Sequence, residues 1–240
     1  MSETAPRQTT LLGQTVPYET RRSTEATEPR IDVDIQGVRV VLPDDATDDP
    51  EQLLSENAAW VLEKKQKYDT YRQQVPNRAF AVGETFPYHG EPHKIIVEKR
   101  STSEVVDQEF RLAKHHVEQT SIRRALEMLY RRKAREWFEE QADQLAQEMG
   151  VEYDKIEIRN QRTKWGSCSS SGTLGLNWRL MMAPPKVGKY IIIHELAHLR
   201  EQNHSDEFWL FVAEHDPEYK NHAKWLQENS TQLVFSEADL

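Results

Sequence analysis

The sequence predicts an α+β fold. Three observations carry this expectation. Residues 31 to 42 and 94 to 99 alternate apolar and polar residues at the period of a strand. A long stretch from Glu118 to Met149 repeats its apolar residues at helical period. The segment Val187 to Leu199 is apolar on most of its surface, as a buried helix is.

At 240 residues the chain is one large domain or two small ones. Residues 1–30 are rich in Thr, Glu, Pro and Arg and are expected to be disordered. Residues 31–112 form a β-rich N-terminal region with one helix. There Ile31, Val33 and Ile35 pair with Val38, Val40 and Leu42 in a hairpin about Gly37. Asp49 caps the helix, Pro50 opens it, and it runs to Gln74. His89 and His93 flank a Gly/Pro turn, which reads as an exposed loop.

Residues 113–240 make up the remaining domain. Gly150 ends its long helix. The basic run Arg131-Arg132-Lys133-Ala134-Arg135 reads as a solvated face balanced by Glu136, Glu139 and Glu140. Lys155 to Asn160 and Gly172 to Trp178 alternate as strands, joined by the Gly/Ser segment Trp165 to Gly172. Pro184-Pro185 starts the buried helix. Phe208, Trp209, Val212, Trp225 and Leu226 mark two short C-terminal helices.

Composition narrows the partners. A net charge of −9 argues against a broad nucleic-acid-binding surface, though not against a local basic patch. Cys168 is the single cysteine, which excludes an intramolecular disulfide and a thiolate metal cluster. No apolar stretch has the length of a membrane span, and the N-terminus lacks a basic start followed by an apolar core. The expected compartment is the cytosol.

His194-Glu195-Leu196-Ala197-His198 carries the chemistry. Positions i and i+4 share one helix face, so two imidazoles there can hold one metal ion. Glu195 is placed to take a proton from a metal-activated water. Burying two histidines and a glutamate costs free energy unless they are paired or bind metal. A hydrolytic zinc site needs three protein ligands and an open position. His204 is the leading third ligand, with Glu201, Glu214 and Glu218 as alternatives. On a straight helix His204 would turn away, so the helix must end between His198 and His204. Asn203 is the expected terminator and Ser205 the cap of the next helix.

Several separate words of this sequence resemble one family. They are Thr163-Lys164-Trp165-Gly166-Ser167-Cys168, Leu176-Asn177-Trp178-Arg179-Leu180, Ala183-Pro184-Pro185, His194 to Leu199, Asn203-His204-Ser205 and Phe208-Trp209. Upstream, Gly37-Val38-Arg39-Val40 with Leu42-Pro43, and Ala59 to Lys64, add weaker matches. Together they resemble the YgjP-like metallohydrolases, relatives of the SprT-like zinc peptidases, over most of residues 31 to 228. The resemblance implies a zincin-like catalytic domain over 113–240, with a small antiparallel sheet and an active-site helix. It implies Zn²⁺ on His194, His198 and His204, and Glu195 as catalytic base. The spacing also fits the metzincin pattern, but Glu201 stands where that pattern has glycine. No methionine follows His204, which excludes a methionine turn.

The expected reaction is zinc-dependent hydrolysis of a peptide bond in a peptide or protein substrate. Gly172 to Trp178, with Gly175 facing the cleft, is the expected edge strand on which an extended peptide docks. Tyr190, Arg162 and Asn177 are the candidates for oxyanion support. Two other classes use similar residues. One is a zinc hydrolase of a non-peptide amide. The other is a non-enzymatic, nucleic-acid-associated module with structural zinc, which would have no use for a positioned Glu195.

Overall fold

Period-two alternation begins earlier than expected. The computed structural model describes residues 7–161 and 163–236. Arg7–Leu11 (β1) and Gln14–Ser23 (β2) form an antiparallel hairpin. Leu11, Val16 and Tyr18 are buried from it. Leu12 and Gly13 turn the chain with φ of 48° and 84°, the left-handed pair a tight hairpin turn requires. Polar composition concealed this strand pair, so the disorder expected over residues 1–30 is corrected for residues 7–23.

Arg30–Asp34 (β3) and Gly37–Pro43 (β4) form the expected antiparallel hairpin. β2 and β4 pair in parallel, giving a sheet ordered β1-β2-β4-β3. Two helices follow instead of one: Pro50–Glu56 (α1) and Ala58–Gln74 (α2). The Asp49 side chain caps α1 through the Glu51 N–H at 3.1 Å. Asn57 breaks the run, because its side-chain amide donates to the Leu53 carbonyl at 2.9 Å and competes with the helical ladder. Val40, Leu42, Leu54 and Val61 centre the small core between helices and sheet.

The chain divides into two compact units, one ending at Pro76 and the other starting at Asn77. This division falls at residues 76/77, whereas the boundary expected from the sequence is at 112/113. Its cause lies in the second core. Phe86, Ile95, Phe110 and Leu112 of the second β-rich stretch share that core with Leu126, Tyr130 and Phe138.

In this second unit Thr85–Tyr88 (β5), Glu91–Glu98 (β6), Glu104–Val106 (β7) and Glu109–Ala113 (β8) form a sheet ordered β5-β6-β8-β7. Its outer pairs are antiparallel and its central pair parallel. The same order and senses occur in the first unit. His93 is buried within β6, and His89 stacks on Tyr88 at 4.4 Å, so neither sits in the open loop expected for them. Lys114–Gln119 (α3) precedes Ile122–Met149 (α4), which Gly150 ends in a left-handed cap. The basic run on α4 is paired along the helix. Arg131 meets Glu127 at 2.8 Å, Lys133 meets Glu136 at 2.7 Å, and Arg135 meets Glu139 at 3.2 Å.

Lys155–Arg159 (β9), Gly166–Cys168 (β10) and Thr173–Asn177 (β11) form a three-stranded sheet ordered β10-β11-β9. It is mixed, since β11 pairs antiparallel with β10 and parallel with β9. The small antiparallel sheet of the sequence reading is corrected on this point. β11 is the central strand, so it offers no free edge. Pro185–Ala197 (α5), Asp206–His215 (α6) and Tyr219–Asn229 (α7) complete the unit. Among the described residues no helix is long and apolar enough to cross a membrane.

The central position of β11 reverses the expectation for Gly175. A Cβ there would lie 2.6 Å from Ser167 Oγ and 3.3 Å from Arg159 Cγ. Gly175→Val is expected to destabilise the protein by ~1–3 kcal/mol, the usual cost of overpacking. Urea unfolding measures this. An unchanged midpoint would return Gly175 to an open position.

Candidate active site

α5 starts with Pro185 at its first position, after Pro184. Nearly all of its residues from Val187 to Ala197 are buried, as its apolar sequence requires. Its last turn tightens. The N–H groups of Leu199 and Arg200 reach the carbonyls of Leu196 and Ala197, each at 3.0 Å. His198 keeps right-handed helical angles, φ −65° and ψ −18°. The i, i+4 relation therefore holds, and the rings of His194 and His198 have centroids 5.0 Å apart.

The helix stops at His198, earlier than Asn203. Asn203 is not among the described residues with positive φ, so it is no left-handed cap. Ser205 caps α6 as expected, with its Oγ accepting from the Phe208 N–H at 3.3 Å. The short corner between α5 and α6 folds His204 back, and its Nε2 lies 3.1 Å from His194 Nε2. One nitrogen from each of His194, His198 and His204 falls within 4.8 Å of the others. Among the described residues this is the one cluster of three such donors, and the alternatives Glu201, Glu214 and Glu218 are not in it.

The donor set fits a tetrahedral metal. Zinc–nitrogen bonds of about 2.0–2.1 Å place neighbouring ligand atoms roughly 3.3–3.4 Å apart. The 3.1 Å contact of His194 with His204 is close to one edge of that tetrahedron. His198 Nδ1 lies 3.1 Å from the Glu201 carbonyl oxygen, so it serves as the N–H donor and leaves Nε2 as the free lone pair. Burial, and then the neighbouring His198 and His204, push His194 down to about 4, keeping it in the neutral form that ligates.

Glu195 is buried on the same helix. Burial pushes its carboxyl up to about 7, partly offset by the Lys164 charge. Its room comes from Gly166 on β10. A Cβ there would sit 2.4 Å from Glu195 Oε1 and 2.6 Å from its Cγ. Lys164, the Gly166–Ser170 stretch, Glu195 and the three histidines line one cleft of about 470 Å³. β10 pairs with β11 on one side only, so the edge bordering this cleft belongs to β10. Cys168 shares the cleft, but burial and Glu195 raise its thiol to about 11, and it is not in the histidine cluster.

The remaining candidates fall elsewhere. Asn177 is fully engaged: its amide donates to the carbonyls of Gln161 and Lys164, and its oxygen accepts from Arg179 N–H and Nε–H. It clamps the 161–164 segment and has no donor left for an oxyanion. Gly175 packs inside the sheet. Tyr190 is buried one turn before His194, with ring centroids 6.0 Å apart, and is not among the residues lining the cleft. Burial raises its hydroxyl to about 12, so it keeps its proton. Arg162 lies outside the described residues. Sequence reasoning missed Lys164, to which it gave no role at the site, and Gly166 and Ser167, which it took for a connecting loop. The available signal was Gly166 itself, a residue without a side chain beside Trp165.

Gly166→Ala is expected to displace Glu195 and, if that carboxylate serves as a general base, to lower turnover by about 10²-fold. Metal content should stay at the wild-type level. Wild-type turnover in this variant would show that Glu195 needs no such clearance.

Part of the chain is similar to two solved metallopeptidase zymogens. Abylysin from Pyrococcus abyssi is 26% identical, with a TM-score of 0.35, over 38% of this chain and 93% of that one. Jannalysin from Methanocaldococcus jannaschii is 24% identical, with a TM-score of 0.34, over 38% and 88%. No curated protein matches the chain. A family model described as the YgjP-like metallopeptidase domain matches residues 27–229, well over half of the chain. The chain therefore belongs to the YgjP-like metallopeptidase family, whose members are metal-dependent hydrolases.

Proposed function

We propose that this protein hydrolyses peptide bonds in extended peptide or protein segments, with zinc as its metal and Glu195 as general base. The observation that carries the reading is the convergence of three histidine nitrogens within 4.8 Å, beside a buried glutamate in one cleft. Three histidine nitrogen donors, with no fourth protein donor in the cluster among the described residues, are the donor set of a catalytic zinc, whereas structural sites are usually closed by four. His194, His198 and His204 would hold the ion. The chemistry it supplies when bound is polarisation of the scissile carbonyl and acidification of a water.

The chain's own residues do the rest. Glu195 takes the proton of the attacking water on its carboxylate and delivers it to the leaving amine. Lys164 is the basic side chain other than histidine among the described residues lining the cleft, so it offers positive charge to the carbonyl oxygen as that oxygen turns anionic. The unpaired edge of β10 provides main-chain donors and acceptors for an extended substrate. It takes the docking role that the sequence reading gave to β11.

The test is digestion of an unstructured peptide mixture, with new termini read by mass spectrometry. Cleavage should vanish on chelation and return with zinc. If only small non-peptide amides are hydrolysed, the substrate class is wrong. If metal binds and neither class is cleaved, the zinc is structural.

A further inference from the structure

The first turn of α6 carries two aromatic residues in succession, Phe208 and Trp209, that the hydrolytic chemistry above does not use. Their rings stand at 89° to one another. Phe208 meets the rings of all three clustered histidines and Trp209 those of His194 and His204, but each stacks face to face on a different one. Phe208 stacks on His198 with centroids 4.7 Å apart and planes at 29°. Trp209 stacks on His204 at 5.6 Å and 27°. Trp209 in turn stacks on Tyr219 of α7 at 5.3 Å and 17°. The spacing is set locally, because the Ser205 cap fixes the start of α6 and the Trp209 N–H bonds the Ser205 carbonyl at 3.1 Å.

Like His204, His194 has no hydrogen-bond partner on Nδ1 among the described residues, but its ring is held by burial, which His204 lacks. His194 and His198 project from the buried end of α5, and His198 is oriented by the Glu201 carbonyl at 3.1 Å. His204 is exposed on the corner between two helices. Among the described residues its ring has one hydrogen-bond contact, to His194 Nε2, and no carbonyl or carboxylate on Nδ1. Ligating histidines almost always have an outer partner of that kind, which fixes the ring plane.

Resting on the zinc reading above, we propose that Trp209, backed by Tyr219, positions His204 for the metal by stacking. It does for His204 what the Glu201 carbonyl does for His198. Trp209 touches neither substrate nor reacting atoms and is a positioning residue. An imidazole that shares the charge of a metal ion is drawn to the face of an indole, as cations are. The stack therefore favours the liganded state over the free one.

Metal-free protein is titrated with Co²⁺ or Zn²⁺ against a competing chelator, and tryptophan emission is followed in the same titration. Trp209→Leu keeps an apolar side chain without a planar ring. It should bind about 10-fold or more weakly, the scale of losing an outer partner of a metal ligand. Trp209→Phe keeps a ring and should recover most of that affinity. Its metal-induced emission change should largely disappear although the site fills, because the reporting indole is gone. Circular dichroism of the metal-free variants checks folding, and should the Leu variant not fold, the Phe variant still tests the idea through its emission.

Wild-type affinity in Trp209→Leu overturns the stacking role. So does an equal loss in the Leu and Phe variants, which would mean indole packing alone matters. A full emission change in Trp209→Phe overturns it as well. A wild-type protein that takes up no metal overturns the zinc centre itself, and the stacking role with it.

Discussion

Glu195→Gln should leave the metal in place and lower turnover by roughly 10²-fold or more, the scale of losing a general base. The amide has the shape and reach of the carboxylate but cannot take up the water's proton. Glu195 is not one of the clustered donors, so its loss should spare affinity. The buried position suits the test, because the neutral amide removes a carboxyl whose charged form burial disfavours. Metal content by elemental analysis and single-turnover cleavage separate the two effects. Wild-type turnover would falsify the base assignment. Lost metal would instead make Glu195 a ligand or a scaffold for one.

His204→Ala should abolish stoichiometric zinc. Removing one of three protein ligands should weaken binding beyond the roughly 100-fold upper figure for losing an outer partner. Activity should fall with it. Glu201→Ala is the matched control, since the backbone carbonyl that meets His198 Nδ1 survives the substitution. Its affinity should stay near wild type. The reverse result, with zinc kept by His204→Ala and lost by Glu201→Ala, would give the third position to the glutamate.

Much of the site was legible because it is local. The i, i+4 pair, the proline start of α5 and the Ser205 cap are all set within a few residues of chain. The requirement that the helix end before His204 followed from helical rotation alone. Where it ends did not, because His198 is followed by a tightened turn and Asn203 adopts no left-handed conformation. The β1–β2 hairpin was missed for a related reason. Its inward residues Leu11, Val16 and Tyr18 are few, and the polar residues between them dominated the composition.

Residue identity and short spacing in the sequence were enough for the candidate ligand set, the candidate base and the family resemblance. Only the tertiary structure decided which strand borders the cleft. β11 alternates as a strand while the Gly/Ser composition of β10 reads as a loop, and nothing within either segment says which will gain a second partner. The parallel pairing of β9 with β11 does, joining residues 155–159 to 173–177 and leaving Gly166–Cys168 at the edge. The same packing brings Gly166 against Glu195 and Trp209 against His204. Those contacts are non-local, and they arise from close packing of elements whose order in space the chain's local preferences leave open.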